Sequence, residues 1–260
     1  MKILVCIKEV PAGDMQIRID GSGRWIEAGG HDDYVMNRFD EFALEEAVRI
    51  KEHFTGTTVD ALSVGPESCR AVIRRALARG ADNGIHLRDL SPGCSSAAAV
   101  AAAIFEFCQP RAYDLIFTGV ISEDLMQGVT GPLLAARLEM PCAAAVIRQR
   151  INRDRGTVRA ACEMESGWTA EVKLALPALL TIQSGINRPR YPSLSNMLRA
   201  RRQELTTVPL ETPAPDENAP RITALSDPAA ANSATFFEGT LADKAGALLD
   251  LLTKRGMLNR

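Results

Sequence analysis

One glycine-rich segment of the 260-residue chain has residue types that suit phosphate binding. It follows an apolar run that ends at Gly119, and it contains Asp124, Gly128 and Gly131 ahead of a helical pattern. Glycines let backbone amides approach a phosphate, and the N-terminus of a helix favours an anion. Thr130 could cap that helix or donate to a phosphate oxygen. Glycine-rich turns between a strand and a helix are common, so the segment alone leaves a purely structural role open.

Other motifs that carry chemistry are missing from the sequence. It has no G-x-G-x-x-G, no Walker A, no H-E-x-x-H and no G-x-S-x-G. None of the six cysteines is spaced as C-x-x-C, and no histidine has a second ligand four residues on. Zinc and iron–sulfur sites need clustered ligands, so we predict no metal site and interpret the cysteines as buried thiols in a reducing compartment.

Composition and charge exclude several classes of protein. Lys plus Arg is 30 and Asp plus Glu is 32, for a net charge of −2, which argues against a protein that coats nucleic acid or anionic lipid. No apolar run approaches the roughly 20 residues of a membrane helix, and the first residues lack the apolar core of a signal peptide. We therefore expect a cytoplasmic protein that has no nucleic-acid partner and is not membrane-integral.

The first half of the chain alternates between strand and helix patterns. Asn37, with Asp40 three residues later, is typical of an N-cap pair at the start of the first helix. The alternation predicts a parallel sheet with helices on both faces, the doubly wound α/β class. The predicted strands are 2–8, 57–64, 84–87 and 113–118, and the predicted helices are 39–54, 67–79, 95–108 and 131–139.

The second half has a different pattern. Residues 143–182 contain three or four β-like runs separated by turn signals, which predicts antiparallel hairpins attached to the parallel sheet. A proline-marked stretch at 187–192 precedes a short helix, 193–203. Residues 206–235 have the composition of an extended linker, and 239–255 form an amphipathic helix that must pack on its own domain or on another subunit.

Several segments together resemble the β (small) subunit of electron transfer flavoproteins, in the same order from residue 2 to about 203. These segments are ILVCIKEVP at 3–11, MNRFDEFALEEA at 36–47, ALSVGP at 61–66, RRALARGAD at 74–82, FTGV at 117–120 with SED at 122–124 and GP at 131–132, and LPALLT at 176–181 followed by NRPRYPSL at 187–194. No single motif is decisive, but six collinear ones identify the chain as a member of this family.

The resemblance implies a fold and a role. The fold is a parallel doubly wound sheet of the adenine-nucleotide-hydrolase-like type, spanning 1–203, with the β-hairpin region at 143–182, the recognition loop at 187–203 and a C-terminal arm at 204–260. The role is that of an electron carrier subunit without catalytic residues of its own. It pairs with an α subunit that holds most of the FAD, binds AMP itself, and helps to pass electrons from dehydrogenases to a quinone oxidoreductase or a similar acceptor.

In electron-bifurcating relatives a second FAD occupies the β-subunit nucleotide site, and that alternative stays open. Two departures from the family pattern bear on it: Arg38 stands where members often have proline, and Val129 where they often have glutamine. The cofactor-binding residues that the resemblance implies are Cys6, Asn37, Val64, Gly65, Asp124, Gly128, Val129, Thr130 and Gly131.

The resemblance also implies a partner-docking segment around Leu194, an apolar anchor, and Met197. Arg199 and Arg201 would steer acidic dehydrogenases toward it. The alternative is an ordinary amphipathic helix with Leu194, Met197 and Leu198 in the core.

Two other functions fit less well. A nucleotide-binding sensor module of the universal-stress type is shorter and lacks the region 143–203. An adenylating enzyme needs a pyrophosphate loop of the S-G-G-x-D kind, and the PAGD at 11–14 is not one.

Overall fold

The computed structural model describes residues 1–27, 34–89, 96–210, 222–227, 234 and 236–258. Within the chain, Met1–Leu225 and Ser226–Arg260 are separate compact units. Cys94 and most of the predicted linker lie outside the described residues.

Among the described residues, nine strands form one sheet in the first unit: β1 (Lys2–Cys6), β4 (Thr58–Gly65), β5 (Asn83–Arg88), β6 (Leu115–Gly119), β7 (Cys142–Asn152), β8 (Thr157–Glu163), β9 (Thr169–Ala175), β10 (Ala178–Ile182) and β11 (Thr206–Pro209). All neighbouring pairs are parallel except β7–β8 and β8–β9, which form an antiparallel extension. The order of the strands across the sheet is β11-β5-β4-β1-β6-β10-β7-β8-β9. A separate hairpin joins β2 (Glu9–Pro11) to β3 (Tyr34–Met36).

Helices cover both faces of the parallel strands. The alternating side chains of β1 show why, since successive residues of a strand point to opposite faces. Ile3 and Val5 belong to the apolar cluster that includes α1 (Arg38–His53) and α2 (Arg70–Arg79). Leu4 packs in the cluster that includes α3 (Ala97–Cys108) and α4 (Thr130–Arg137). The doubly wound α/β class predicted from the sequence is thus confirmed. A further α-helix of this unit is α5 (Leu194–Arg202).

The last β-like run of the predicted hairpin region has a different place from the one expected. Ala178–Ile182 is not part of the antiparallel extension but lies between β6 and β7, parallel to both. All five of its residues are buried, as in a strand covered on both faces. In β9, by contrast, exposed and half-buried residues alternate, which is the pattern of a strand with one solvated face.

The predicted linker is wrong at its first residues. Thr206–Pro209 is strand β11 and pairs in parallel with β5 at the edge of the sheet. A β-branched run can cover an otherwise open edge, and proline is tolerated there because an edge strand has unpaired backbone groups.

The second unit, Ser226–Arg260, contains helix α6 (Leu241–Lys254). A capping box begins this helix, in which the Thr240 and Asp243 side chains each accept from the backbone amide of the other. Among the described residues, none of the helices combines the length and apolar character needed to cross a membrane.

Candidate functional site

A cavity of about 660 Å³ opens at the carboxyl ends of β1, β4 and β6. The chain continues from β1 to β4 and β5 on one side, and then crosses to β6 on the other side of β1. Ligands of doubly wound proteins bind in the crevice at such a reversal of strand order. The volume falls within the range of about 300–1,000 Å³ that is usual for small-molecule sites.

All nine residues predicted to bind the cofactor line this one cavity. They come from four separate parts of the sequence, and the parallel strands bring them to the same edge. The nine are Cys6 at the end of β1, Asn37 before α1, Val64 and Gly65 at the end of β4, and Asp124, Gly128, Val129, Thr130 and Gly131 after β6.

Asp40, in the first turn of α1, joins the two central strand ends beneath the cavity. Its carboxylate accepts hydrogen bonds from the backbone amides of Lys8 and Gly119, each at 2.8 Å. The residue is only 5% exposed, and this burial raises the pKa of Asp40 to about 7 against the opposing effect of the two amides. A Cβ at Gly119 would collide with the carboxylate, so glycine permits the contact.

Asn37 stands at the N-cap position of α1, but its side chain does not cap the helix. Its amide nitrogen donates to the carbonyl oxygen of Ile121 at 2.9 Å, and its Oδ1 accepts from the backbone amide of Glu123 at 3.1 Å. The predicted side-chain capping by Asn37 is therefore wrong. The side chain instead satisfies backbone groups of the loop after β6, which have no strand or helix to pair with.

Lys8 is the one basic residue among the described residues that line the cavity. Its Nζ forms an ion pair with Asp124, whose second oxygen accepts from the backbone amide of Leu125 at 2.8 Å. Sequence reasoning missed both Lys8 and Asp40. Their positions in the sequence could have identified them as site residues. Lys8 follows the carboxyl end of the first strand, and Asp40 lies in the helical turn that faces the same edge of the sheet.

The loop reaches α4 without a side-chain cap. Val129 occupies the N-cap position and Thr130 is the first helical residue, so the predicted alternative of a Thr130 cap is wrong. Amides in the first turn of such a helix are free to bind an anion. A Cβ at Gly131 would lie 2.7 Å from Thr118 Oγ1 and 2.8 Å from a methyl of Thr181. Glycine therefore allows this helix to begin directly against the sheet.

Two buried thiols form part of the cavity wall. Burial raises the pKa of the Cys6 thiol well above its usual value. Burial and the nearby Glu9 carboxylate raise the pKa of Cys69 to about 12. Both thiols therefore stay protonated at neutral pH and give the cavity neutral surfaces. At the same end, Ser68 donates to the Glu9 carboxylate at 2.6 Å.

The proline-marked segment before α5 is fastened to α1. Arg190 forms hydrogen bonds with Glu45, with Nη2 and Oε1 2.9 Å apart, and a further ion pair with Glu52. Asn187 donates to the carbonyl oxygen of Phe42 at 2.9 Å. This anchoring gives the exposed helix that follows a defined starting point.

Helix α5 packs on α2 through one small residue, Ala200, whose carbonyl oxygen accepts from Arg74 at 2.6 Å. Leu194 is 69% exposed, and Met197 and Leu198 are also exposed, so the predicted alternative that places them in the core is wrong. Arg199 and Arg201 are exposed beside them, although Arg199 also donates to a carbonyl of α2. The predicted docking residues thus form an apolar surface with a basic rim.

No group of three or more His, Cys, Asp or Glu residues that could hold a metal ion occurs in the described part of the chain.

Comparison with known proteins gives a consistent result. The electron transfer flavoprotein domain matches residues 28–213. The chain is 33% identical to the electron transfer flavoprotein subunit beta of Methylophilus methylotrophus, with 98% of each chain covered. It is 30% identical to that of Bacillus subtilis, with 97% of each covered, and 33% identical to that of Mus musculus, over 80% of this chain and 81% of the relative. The chain belongs to the β-subunit family of electron transfer flavoproteins.

Proposed function

We propose that this chain binds an adenine nucleotide in the cavity at the ends of β1, β4 and β6 and acts in a heterodimer with an electron transfer flavoprotein α subunit. Family membership supports an electron carrier whose complex contains a flavin. In our proposal most of the FAD is held by the α subunit and AMP by this chain. The observation that supports this best is the convergence of the nine predicted residues on one cavity. The cytoplasmic location stays a prediction.

The residues present fit such a ligand. The uncapped start of α4, from Gly128 to Gly131, would hold a phosphate through backbone amides. Cys6 and Val64 line the cavity with neutral surfaces that would suit a flat base, because the thiol stays protonated. Asp40 and Asn37 would act on the nucleotide indirectly, by holding the strand ends and the loop in place.

Helix α5 would dock the redox partners. In our proposal, Leu194 inserts into an apolar site on a dehydrogenase, and the arginines around it attract an acidic surface. Such interfaces are small and release quickly, as repeated electron transfer requires. Electrons would then pass through the FAD to a quinone oxidoreductase or a similar acceptor.

A second candidate is an electron-bifurcating subunit with a second FAD in the same cavity. One observation favours it: the cavity lining extends beyond the strand ends to Pro11, Trp25 and Tyr34. Trp25 and Tyr34 would offer aromatic surfaces on which a flavin could stack.

The test is to co-express the chain with its cognate α subunit, purify the complex and identify the released nucleotides by mass spectrometry and absorbance. One FAD and one AMP per heterodimer would support the conventional carrier. Two FAD without AMP would support the second candidate. Failure to form a complex or to bind any nucleotide would overturn the proposal.

A further inference from the structure

The antiparallel extension carries a line of cations on its exposed face. The strand register places Arg150 of β7 opposite Arg159 of β8, and Arg159 opposite Lys173 of β9. All three side chains are exposed. Arg150, Arg159 and Lys173 therefore form a cationic row across three neighbouring strands. Strands lie about 4.8 Å apart, so the row is about 10 Å long.

The opposite face of these strands belongs to the core. Val158 and Ala160 of β8 are buried in the apolar cluster that includes α1, and Val172 and Leu174 of β9 pack against it. Because side chains alternate along a strand, the residues between them must point away from that core. The cationic row therefore points away from a well-packed apolar core.

No carboxylate in the described part of the chain neutralises the charges of the cationic row. None of its three cations forms a hydrogen bond or ion pair with any residue in the described part of the chain. The adjacent row is different, since Arg148 reaches across Ala161 to Glu171 with 3.2 Å between the charged atoms. Like charges directly opposite each other on neighbouring strands destabilise a sheet.

We propose that the cationic row docks an acidic helix of a partner protein. On a helix, carboxylates at positions i, i+4 and i+7 follow one another at about 5–6 Å, close to the strand spacing. A helix lying across the strands would therefore place one carboxylate against each cation. Positions i to i+7 of a helix span about 10 Å, which matches the length of the row, and anionic lipid is the alternative occupant that the test distinguishes. The proposal does not depend on which nucleotide fills the cavity.

The test uses the full chain and a labelled, end-blocked alanine-based helical peptide with glutamates at i, i+4 and i+7. The control peptide has the same composition with its glutamates spread around the helix. Binding is measured by fluorescence anisotropy for the unmodified chain, for Arg159→Glu, and for Arg137→Glu, which makes the same charge change at an exposed position of α4. We expect Arg159→Glu to weaken binding about tenfold or more, Arg137→Glu to change it less than about twofold, and salt to weaken it.

Equal affinity for the two peptides, or equal loss in the two variants, would overturn the proposal. The proposal would also be overturned if the chain bound phosphatidylserine vesicles but not the peptide, and if Arg159→Glu abolished the vesicle binding. The occupant of the row would then be a membrane. A second measurement tests the premise independently of any ligand. Replacing the middle charge by Arg159→Thr removes two repulsions, so it should raise Tm at low salt, and an unchanged or lower Tm would contradict the inference.

Discussion

Replacing Asp40 by asparagine is expected to change how the stability of the chain depends on pH. The carboxylate accepts from two backbone amides, those of Lys8 and Gly119, in a buried position. The asparagine side chain has one acceptor oxygen in place of two. One of the two amides would therefore face an NH₂ group and lose its partner, which costs about 1–3 kcal/mol in the free energy of unfolding.

The sign of the pH effect follows from the raised pKa of Asp40, about 7 in the folded chain against 3.8 as the ordinary value. Between these two values the folded state binds the proton and the unfolded state does not. Stability from this group is therefore fully present below the ordinary pKa and falls as the pH rises to 7. At about 1.36 kcal/mol per unit, the unmodified chain should lose about 2–3 kcal/mol relative to Asp40→Asn between pH 5 and pH 8.

The measurement is urea denaturation of both chains at four pH values from 5 to 8, followed by circular dichroism. Asp40→Asn should be the less stable chain at pH 5 and should approach or pass the unmodified chain at pH 8. Asp154→Asn, at an exposed turn, is the control and should follow the unmodified chain throughout. A stability difference between Asp40→Asn and the unmodified chain that stays constant over this range would refute the reasoning.

The remaining predictions concern nucleotide, partner and subunit binding. Gly131→Ala should drive the start of α4 from the sheet, lowering both Tm and the nucleotide content of the purified complex, whereas Gly21→Ala, where a Cβ has open space, should change neither. Leu194→Ala should slow reduction by a partner dehydrogenase about tenfold in a stopped-flow assay and leave Tm unchanged, and a normal rate would count against docking by α5. Deleting 226–260 leaves the first unit intact and should abolish co-purification with the α subunit. Recovery of the heterodimer without this segment would show that residues 226–260 are dispensable for pairing with the α subunit.

Much of the architecture could be predicted because it depends on local patterns. Strand β1 is an apolar β-branched run and α1 has an apolar stripe, so each element is recognisable without its neighbours. The position of β10 could not be predicted, because a short buried run looks the same in a hairpin as in the middle of a parallel sheet. Strand β11 could not be predicted for a related reason, because its four residues form a strand only by pairing with the open edge of β5.

The candidate site also combines features that depend on consecutive residues with features that depend on distant ones. The sequence by itself determined the elements, the glycine-rich loop and the family motifs, because propensity and spacing are properties of consecutive residues. Only the tertiary structure decided that Asp40 bridges two strand ends, that Asn37 holds the loop rather than capping its helix, and that Leu194 faces outward. Hydrogen-bond partners and burial depend on residues that are distant in the chain, and packing of the sheet brings those residues together.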